Sequence, residues 1–230
     1  MKYLVIIPAR GGSKGIKDKN IIDVKGKPLI WYSINAANKL VSEGLVSEVV
    51  VSTDNEKIAE IARECGGNVP FLRPAEISGD KAKSIDFVLH ALNFYEQQGL
   101  SFDAVIILQP IAPLRTFEDI KEAVILFNKN KVDSLISVYE EEGIDDLVLY
   151  YRDGDRAVPL NANHNNGNRR QDAPKIYMRN GAIYIARTDF IKTGHKLIAD
   201  QPLMLEMPKE RSINLDEPKD LEKLKEILCK

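Results

Sequence analysis

Tyr3-Leu4-Val5-Ile6-Ile7-Pro8-Ala9-Arg10-Gly11-Gly12-Ser13-Lys14-Gly15 decides how the rest of the chain reads. Its first six residues are a short apolar run with β-branched members, the pattern of a strand covered on both faces. The run stops at a turn with three glycines, which bring backbone N–H groups close to a ligand. Arg10, Lys14, Lys17 and Lys19 put positive charge on this turn and its continuation to Asn20. Glycines plus cations at the carboxyl end of a buried strand make a phosphate cradle. The turn is neither a Walker A loop, which closes on Gly-Lys-Ser/Thr, nor the dinucleotide fingerprint Gly-x-Gly-x-x-Gly. A glycine-rich turn with solvated lysines is the competing reading.

Downstream, strand and helix patterns alternate. Pro28 to Leu40 is amphipathic with proline in its first turn, which predicts a helix. Ser47 to Ser52 reads as a strand ending in Thr53-Asp54, and Glu56 to Cys65 as a helix stopped by Gly66-Gly67. Val69 to Leu72 reads as a short strand, Ser84 to Gln98 as a helix, and Ala104 to Leu108 as a third buried strand. Thr116 and Asp119 form a capping-box pattern ahead of a helix with Ile120, Val124 and Phe127 inward. Ser134 to Val138 and Gly181 to Ile185 are further strands, and Pro218 to Leu228 a closing helix with Leu221, Leu224 and Leu228 inward. This order predicts an α/β, Rossmann-like, mainly parallel sheet with helices on both faces. Residues 140–175 break the pattern: they are polar, with Tyr150 and Tyr151 suggesting a strand pair. They read as a small arm or lid inserted in a single domain spanning 1–230 and packing on a second subunit.

The composition sets limits. The chain has 230 residues, 44% hydrophobic and 29% charged, with a net charge of −2. That balance argues against a nucleic-acid partner, which calls for a basic excess. Cys65 and Cys229 lack metal-like spacing, and free thiols in a reducing compartment are expected. No run reaches the roughly 18 apolar residues of a membrane span, and the N-terminal run lacks a signal-peptide pattern. A cytoplasmic protein without membrane partners is the expectation. His90, His164 and His195 show no ligand spacing.

Ligands of open α/β sheets lie beyond the carboxyl ends of the strands. The polar residues there are Arg10 to Lys14, Asp54, Arg73, Gln109 and Asp216, cations for phosphates and a carboxylate for a metal. Some have plain alternatives: Asp54 and Asp216 as helix caps, and Arg115 as the partner of a helix acid on the surface.

Several stretches, in order, carry a family resemblance. They are Ile7 to Gly15 with Lys19-Asn20, Val51-Ser52-Thr53-Asp54, Leu72-Arg73-Pro74-Ala75-Glu76, Leu108-Gln109-Pro110 with Pro113-Leu114-Arg115, and Asn180-Gly181-Ala182-Ile183-Tyr184. Together they resemble the acylneuraminate cytidylyltransferases, or CMP-sialic acid synthetases. The resemblance implies transfer of CMP from CTP to the anomeric hydroxyl of a nonulosonic acid, with Mg²⁺ as cofactor, in a homodimer. It implies that the backbone of Ala9, Arg10, Gly11, Gly12 and Ser13 holds the triphosphate. Arg10 and Lys14 would lie on its charge, Lys19 would act in catalysis, and Asp216 would be the catalytic magnesium carboxylate. Asn20 and Arg73 would recognise the cytosine ring, with Ser84 beside the nucleotide. Gln109, Arg170, Gln171 and Arg179 would serve the sugar, whose carboxylate needs a cation from among Arg169, Arg170 and Arg179.

Three positions depart from the family pattern. Asn214 stands where many relatives have the first aspartate of Asp-x-Asp, leaving more of the metal to the substrate. Ile111 replaces a threonine, which implies a different sugar substituent. Arg179 is shifted by one residue. A related nucleotidyltransferase acting on the eight-carbon acid Kdo, and a catalytically silent nucleotide-binding module, are the alternative readings. Gly12-Ser13-Lys14-Gly15 does not follow the Kdo-type Ser-Thr-Arg pattern.

Overall fold

The computed structural model describes residues 1–12, 15–166 and 174–228. The chain opens with β1 (Tyr3–Pro8), a small ribbon of β2 (Asp23–Val24) and β3 (Lys27–Pro28), and α1 (Leu29–Ser42). Next come β4 (Glu48–Ser52), α2 (Glu56–Glu64), α3 (Ser84–Glu96), β5 (Ala104–Ile107) and α4 (Phe117–Lys129). β6 (Ser134–Glu140) leads to a hairpin of β7 (Tyr150–Asp153) and β8 (Arg156–Pro159). β9 (Tyr177–Arg187), α5 (Thr188–Gly194), β10 (Leu203–Glu206) and α6 (Pro218–Leu228) complete the chain.

One sheet has the order β10-β6-β9-β5-β1-β4. β1 pairs parallel with β4 and β5, and β10 pairs parallel with β6. Only β9 runs against its neighbours, between β5 and β6. The mainly parallel sheet expected from the alternating pattern is therefore present, with one long reversed strand at its centre.

β1 shows why both faces are covered. Tyr3, Val5 and Ile7 point to one side, into a cluster with Ile30, Ile34 and Leu40 of α1, Ile58 of α2 and Phe127 of α4. Leu4 and Ile6 point to the other, against Val88, Leu92 and Tyr95 of α3 and Ile191 of α5. The period of two sends alternate side chains to opposite faces. All five are essentially inaccessible, and each such burial contributes roughly 1.5–3 kcal/mol over exposure.

Two local readings are corrected, and two elements appear that the pattern did not predict. Val69 to Leu72 is not a strand, because only a single bridge joins Leu72 to Thr53, and Pro70 has no amide to extend it. β10 and α5 were not expected from the pattern. Arg115 is not a surface ion-pair residue: it is 4% exposed. The hairpin leaves Val148, Tyr150, Tyr151 and Val158 exposed.

The capping box at α4 is present as expected. Thr116 Oγ1 accepts from the Asp119 amide at 3.2 Å, and the Asp119 carboxylate accepts from the Thr116 amide at 2.8 Å. Arg211 also binds this carboxylate. Burial pushes the Asp119 carboxyl up, but the hydrogen bonds from Arg211 and Thr116 outweigh it and hold the group below its ordinary value. A depressed folded value means stability that is present above the ordinary carboxyl range near ~4 and lost as pH falls through the depressed one. Asp119→Asn should therefore destabilise the protein by about 1–2 kcal/mol at neutral pH. In thermal melts taken from neutral to acid pH, the gap to the parent should close as the parent carboxylate protonates.

Candidate active site

The carboxyl ends of β1, β4 and β5 open into a cavity of about 470 Å³. The residues around it come from distant parts of the chain. Arg10, Lys19 and Asn20 follow β1, Arg73 and Asp80 precede α3, Ser84 opens α3, and Gln109 and Ile111 follow β5. Asp216 arrives from the segment before α6.

The nucleotide-side candidates are tied to the end of β4. The Ser52 carbonyl accepts from the Ala9 amide at 2.9 Å and from Arg73 Nη2, while Ser52 Oγ accepts from Arg73 Nε at 3.1 Å. The Arg73 guanidinium also lies 5.0 Å from the centre of the Phe87 ring. Burial pushes Arg73 down to about 10, against the pull of Asp54, so it stays protonated at neutral pH. Asn20, 6% exposed, donates to the Arg10 carbonyl at 2.9 Å and fixes the return of the turn.

Asp54 is not the cap of α2; Asn55 is, accepting from the Ile58 amide at 3.2 Å. The Asp54 carboxylate instead accepts from the Gly11 amide at 2.9 Å. Of the backbone from Ala9 to Ser13 expected to grip the triphosphate, the amides of Ala9 and Gly11 are bonded within the protein, to Ser52 and Asp54. Ser13 and Lys14 lie outside the described residues.

Two of the described cations of the turn, Arg10 and Lys19, are paired across the cavity. Arg10 sits 3.2 Å from Asp80 and donates to the Gly79 carbonyl at 3.1 Å. Lys19 Nζ sits 2.9 Å from Asp216 Oδ1. Asp216 is not a helix cap; the Asp220 carboxylate takes that place, accepting from the Asp216 and Glu217 amides at 3.0 and 2.7 Å. Gly15 lets the two ends meet, because a Cβ there would stand 2.3 Å from the Asp216 carbonyl oxygen.

On the opposite wall, Gln109 and Ile111 line the cavity, and the Ile111 carbonyl accepts from the Leu215 amide at 2.8 Å. Arg179 is not brought together with these residues: it lies exposed on β9 opposite Val138. Arg169, Arg170 and Gln171 lie outside the described residues. Asp80 and Phe87 were missed by motif reading; Phe87 falls on the inward face of α3, which was the one signal for it.

No group of three or more His, Cys, Asp or Glu side chains suited to a metal occurs among the described residues. Asp216, one of two carboxylates lining the cavity with Asp80, fits magnesium, which takes one or two carboxylates and completes its octahedron with water and phosphate oxygens. The buried Asn214 Oδ1 has no hydrogen-bond partner.

Set against known proteins, the sequence matches the family described as Cytidylyltransferase over residues 4–229. It is 35% identical over 228 residues to the pseudaminic acid cytidylyltransferase of Campylobacter jejuni subsp. jejuni serotype O:2, covering 96% of this chain and 94% of that one. It is 34% identical to the N-acylneuraminate cytidylyltransferase of Streptococcus agalactiae serotype V, over 94% of this chain and 51% of that longer protein. The fold is similar to that of CMP:2-keto-3-deoxy-manno-octonic acid synthetase complexed with CTP. The TM-score is 0.72 at 18% identity, over 100% of this chain and 99% of that one.

The Gly15 contact is directly testable. Gly15→Ala should cost about 1–3 kcal/mol, since backbone must move to admit the methyl group. Gly12→Ala, where a Cβ meets nothing within 4 Å, should melt closer to the parent. Equal melting of the two variants would show that the Asp216 segment gives way freely.

Proposed function

Because the chain belongs to the cytidylyltransferase family, we propose that it transfers CMP from CTP to the anomeric hydroxyl of a nonulosonic acid and releases pyrophosphate. The observation that carries this reading is the cavity itself. Its turn cations, Arg10 and Lys19, rest on the carboxylates of Asp80 and Asp216, and Asn20, Arg73, Gln109 and Ile111 line the same cavity.

In-line attack on the α-phosphorus needs the two reactants aligned and the charge on the phosphoryl oxygens neutralised. Arg10 and Lys19 supply fixed charge for the triphosphate, and Lys14 is proposed to join them. Arg10 and Lys19 now rest on carboxylates, so binding exchanges those partners for phosphate oxygens without moving the two cations into an unpaired state. Asn20, Arg73 and Ser84 are proposed to receive the base, with Gln109, Arg170, Gln171 and Arg179 on the acid sugar. Magnesium, held by Asp216 and the substrate's phosphate oxygens, supplies the remaining charge neutralisation when bound.

The exposed Val148, Tyr150, Tyr151 and Val158 of the hairpin support a homodimer in which this arm packs on the second copy. No helix among the described residues is long and apolar enough to cross a membrane. A cytoplasmic location remains part of the proposal. The silent-module alternative draws on Asn214, which contributes no negative charge beside Asp216.

Pyrophosphate release with CTP, Mg²⁺ and a panel of nonulosonic acids tests the reading. Release with at least one member is expected. Tight CTP binding with no release from any acid would leave a binding module, and release with Kdo alone would favour the eight-carbon alternative. Lys19→Ala should lower turnover at least about tenfold, roughly 1.4 kcal/mol of transition-state stabilisation. Asp216→Asn should shift the magnesium titration to higher concentration, and an unshifted titration would remove it as a ligand.

A further inference from the structure

Arg115 sits immediately before α4, buried and out of the cavity. Its Nη1 donates to the carbonyl oxygens of Ala182 at 2.6 Å and Gln109 at 3.3 Å. Its Nη2 donates to Ser33 Oγ at 2.7 Å, and its buried Nε has no partner. None of these acceptors is a carboxylate. Burial pushes the guanidinium down to about 9 although Asp119 pulls the other way. A buried cation of this kind is poor value for stability, since an apolar side chain of similar volume often does as well or better.

What the side chain does join is three elements: α1 through Ser33, the turn after β5 through Gln109, and β9 through Ala182. β9 is the one reversed strand of the main sheet, and its antiparallel pairing with β5 ends at Ile107–Tyr184, short of Gln109 and Ala182. Gln109 and Ile111 form the cavity wall, and the Ile111 carbonyl in turn holds the Leu215 amide, one residue before Asp216. The nucleotide half is fastened separately, by Ser52 to Ala9 and Arg73.

We propose that Arg115 is a positioning residue for the acid-sugar half of the crevice, setting the wall from Gln109 to Ile111 against β9 without touching substrate. This rests on the reaction proposed above, with the sugar on the Gln109 side. The two halves are then separable: loosening Arg115 weakens acid-sugar use while the CTP end keeps its fastening.

The test compares the parent with Arg115→Lys and Ser33→Ala. Lysine keeps the charge but loses the planar fork that reaches several acceptors. For Arg115→Lys, the KM for the acid sugar should rise at least about tenfold, while calorimetric CTP affinity without divalent metal stays within about twofold. Ser33→Ala removes one acceptor and should move the same way by about threefold. It carries the comparison if the lysine variant does not fold. Amide hydrogen exchange adds a readout independent of activity: Leu215 should exchange faster in the variants, while Ala59 of α2 keeps the parental rate. KM and CTP affinity weakening together, no change in either, or an unchanged Leu215 amide would each overturn the proposal. A parent that turns over no acid sugar would instead remove the proposed reaction, and the Leu215 exchange would still decide whether Arg115 holds the wall.

Discussion

A guanidinium taken out of water must be given acceptors, and this fold supplies them from backbone carbonyls at the end of β4, just beyond β5 and within β9. Arg73 bonds to Ser52 at the end of β4 and stacks on Phe87. Arg115 bonds to Gln109 beyond β5 and to Ala182 within β9. In a parallel sheet these ends collect on one rim, where the next backbone donor has already left the ladder. Each arginine closes part of that unsatisfied rim while anchoring a different side of the cavity. The apolar packing of β1 places the rim, but the two buried cations give it shape.

The same arrangement explains why the cavity carries charge without a clash of like charges. Arg10 and Lys19 lean on Asp80 and Asp216 across the opening, and Asn20 holds the Arg10 carbonyl. Exposed pairs of this sort add little to stability. Their effect is on geometry, because each draws a separate segment towards the turn after β1.

Much of this was legible in the chain. The run Tyr3 to Pro8 admits few readings other than a buried strand, and the crevice rule turned its end into a site before any contact was seen. Arg10 and Gln109 were reached because position at a strand end sufficed to locate them, whereas Asn20 came from the family resemblance alone. What failed depended on tertiary context. Periodicity carries no direction, so the reversal of β9 was invisible. β10 is four residues long and only partly buried, too weak a pattern to separate from loop. For Arg115 the surface-pair alternative stayed open, because a cation next to Glu118 and Asp119 looks like a surface pair in one dimension. Asp80 lies in a turn with no motif, and its approach to Arg10 marks it.

Lys19 and Asp216 are separated by 197 positions in sequence yet meet at 2.9 Å. While this chain emerges from a ribosome, the sheet strands from β1 through β9 are available well before Asp216 exists. The glycine turn must therefore wait for this partner until the segment beyond β10 has been made. A chain interrupted shortly after β10 would own every strand of the sheet and still lack the acid that closes its crevice.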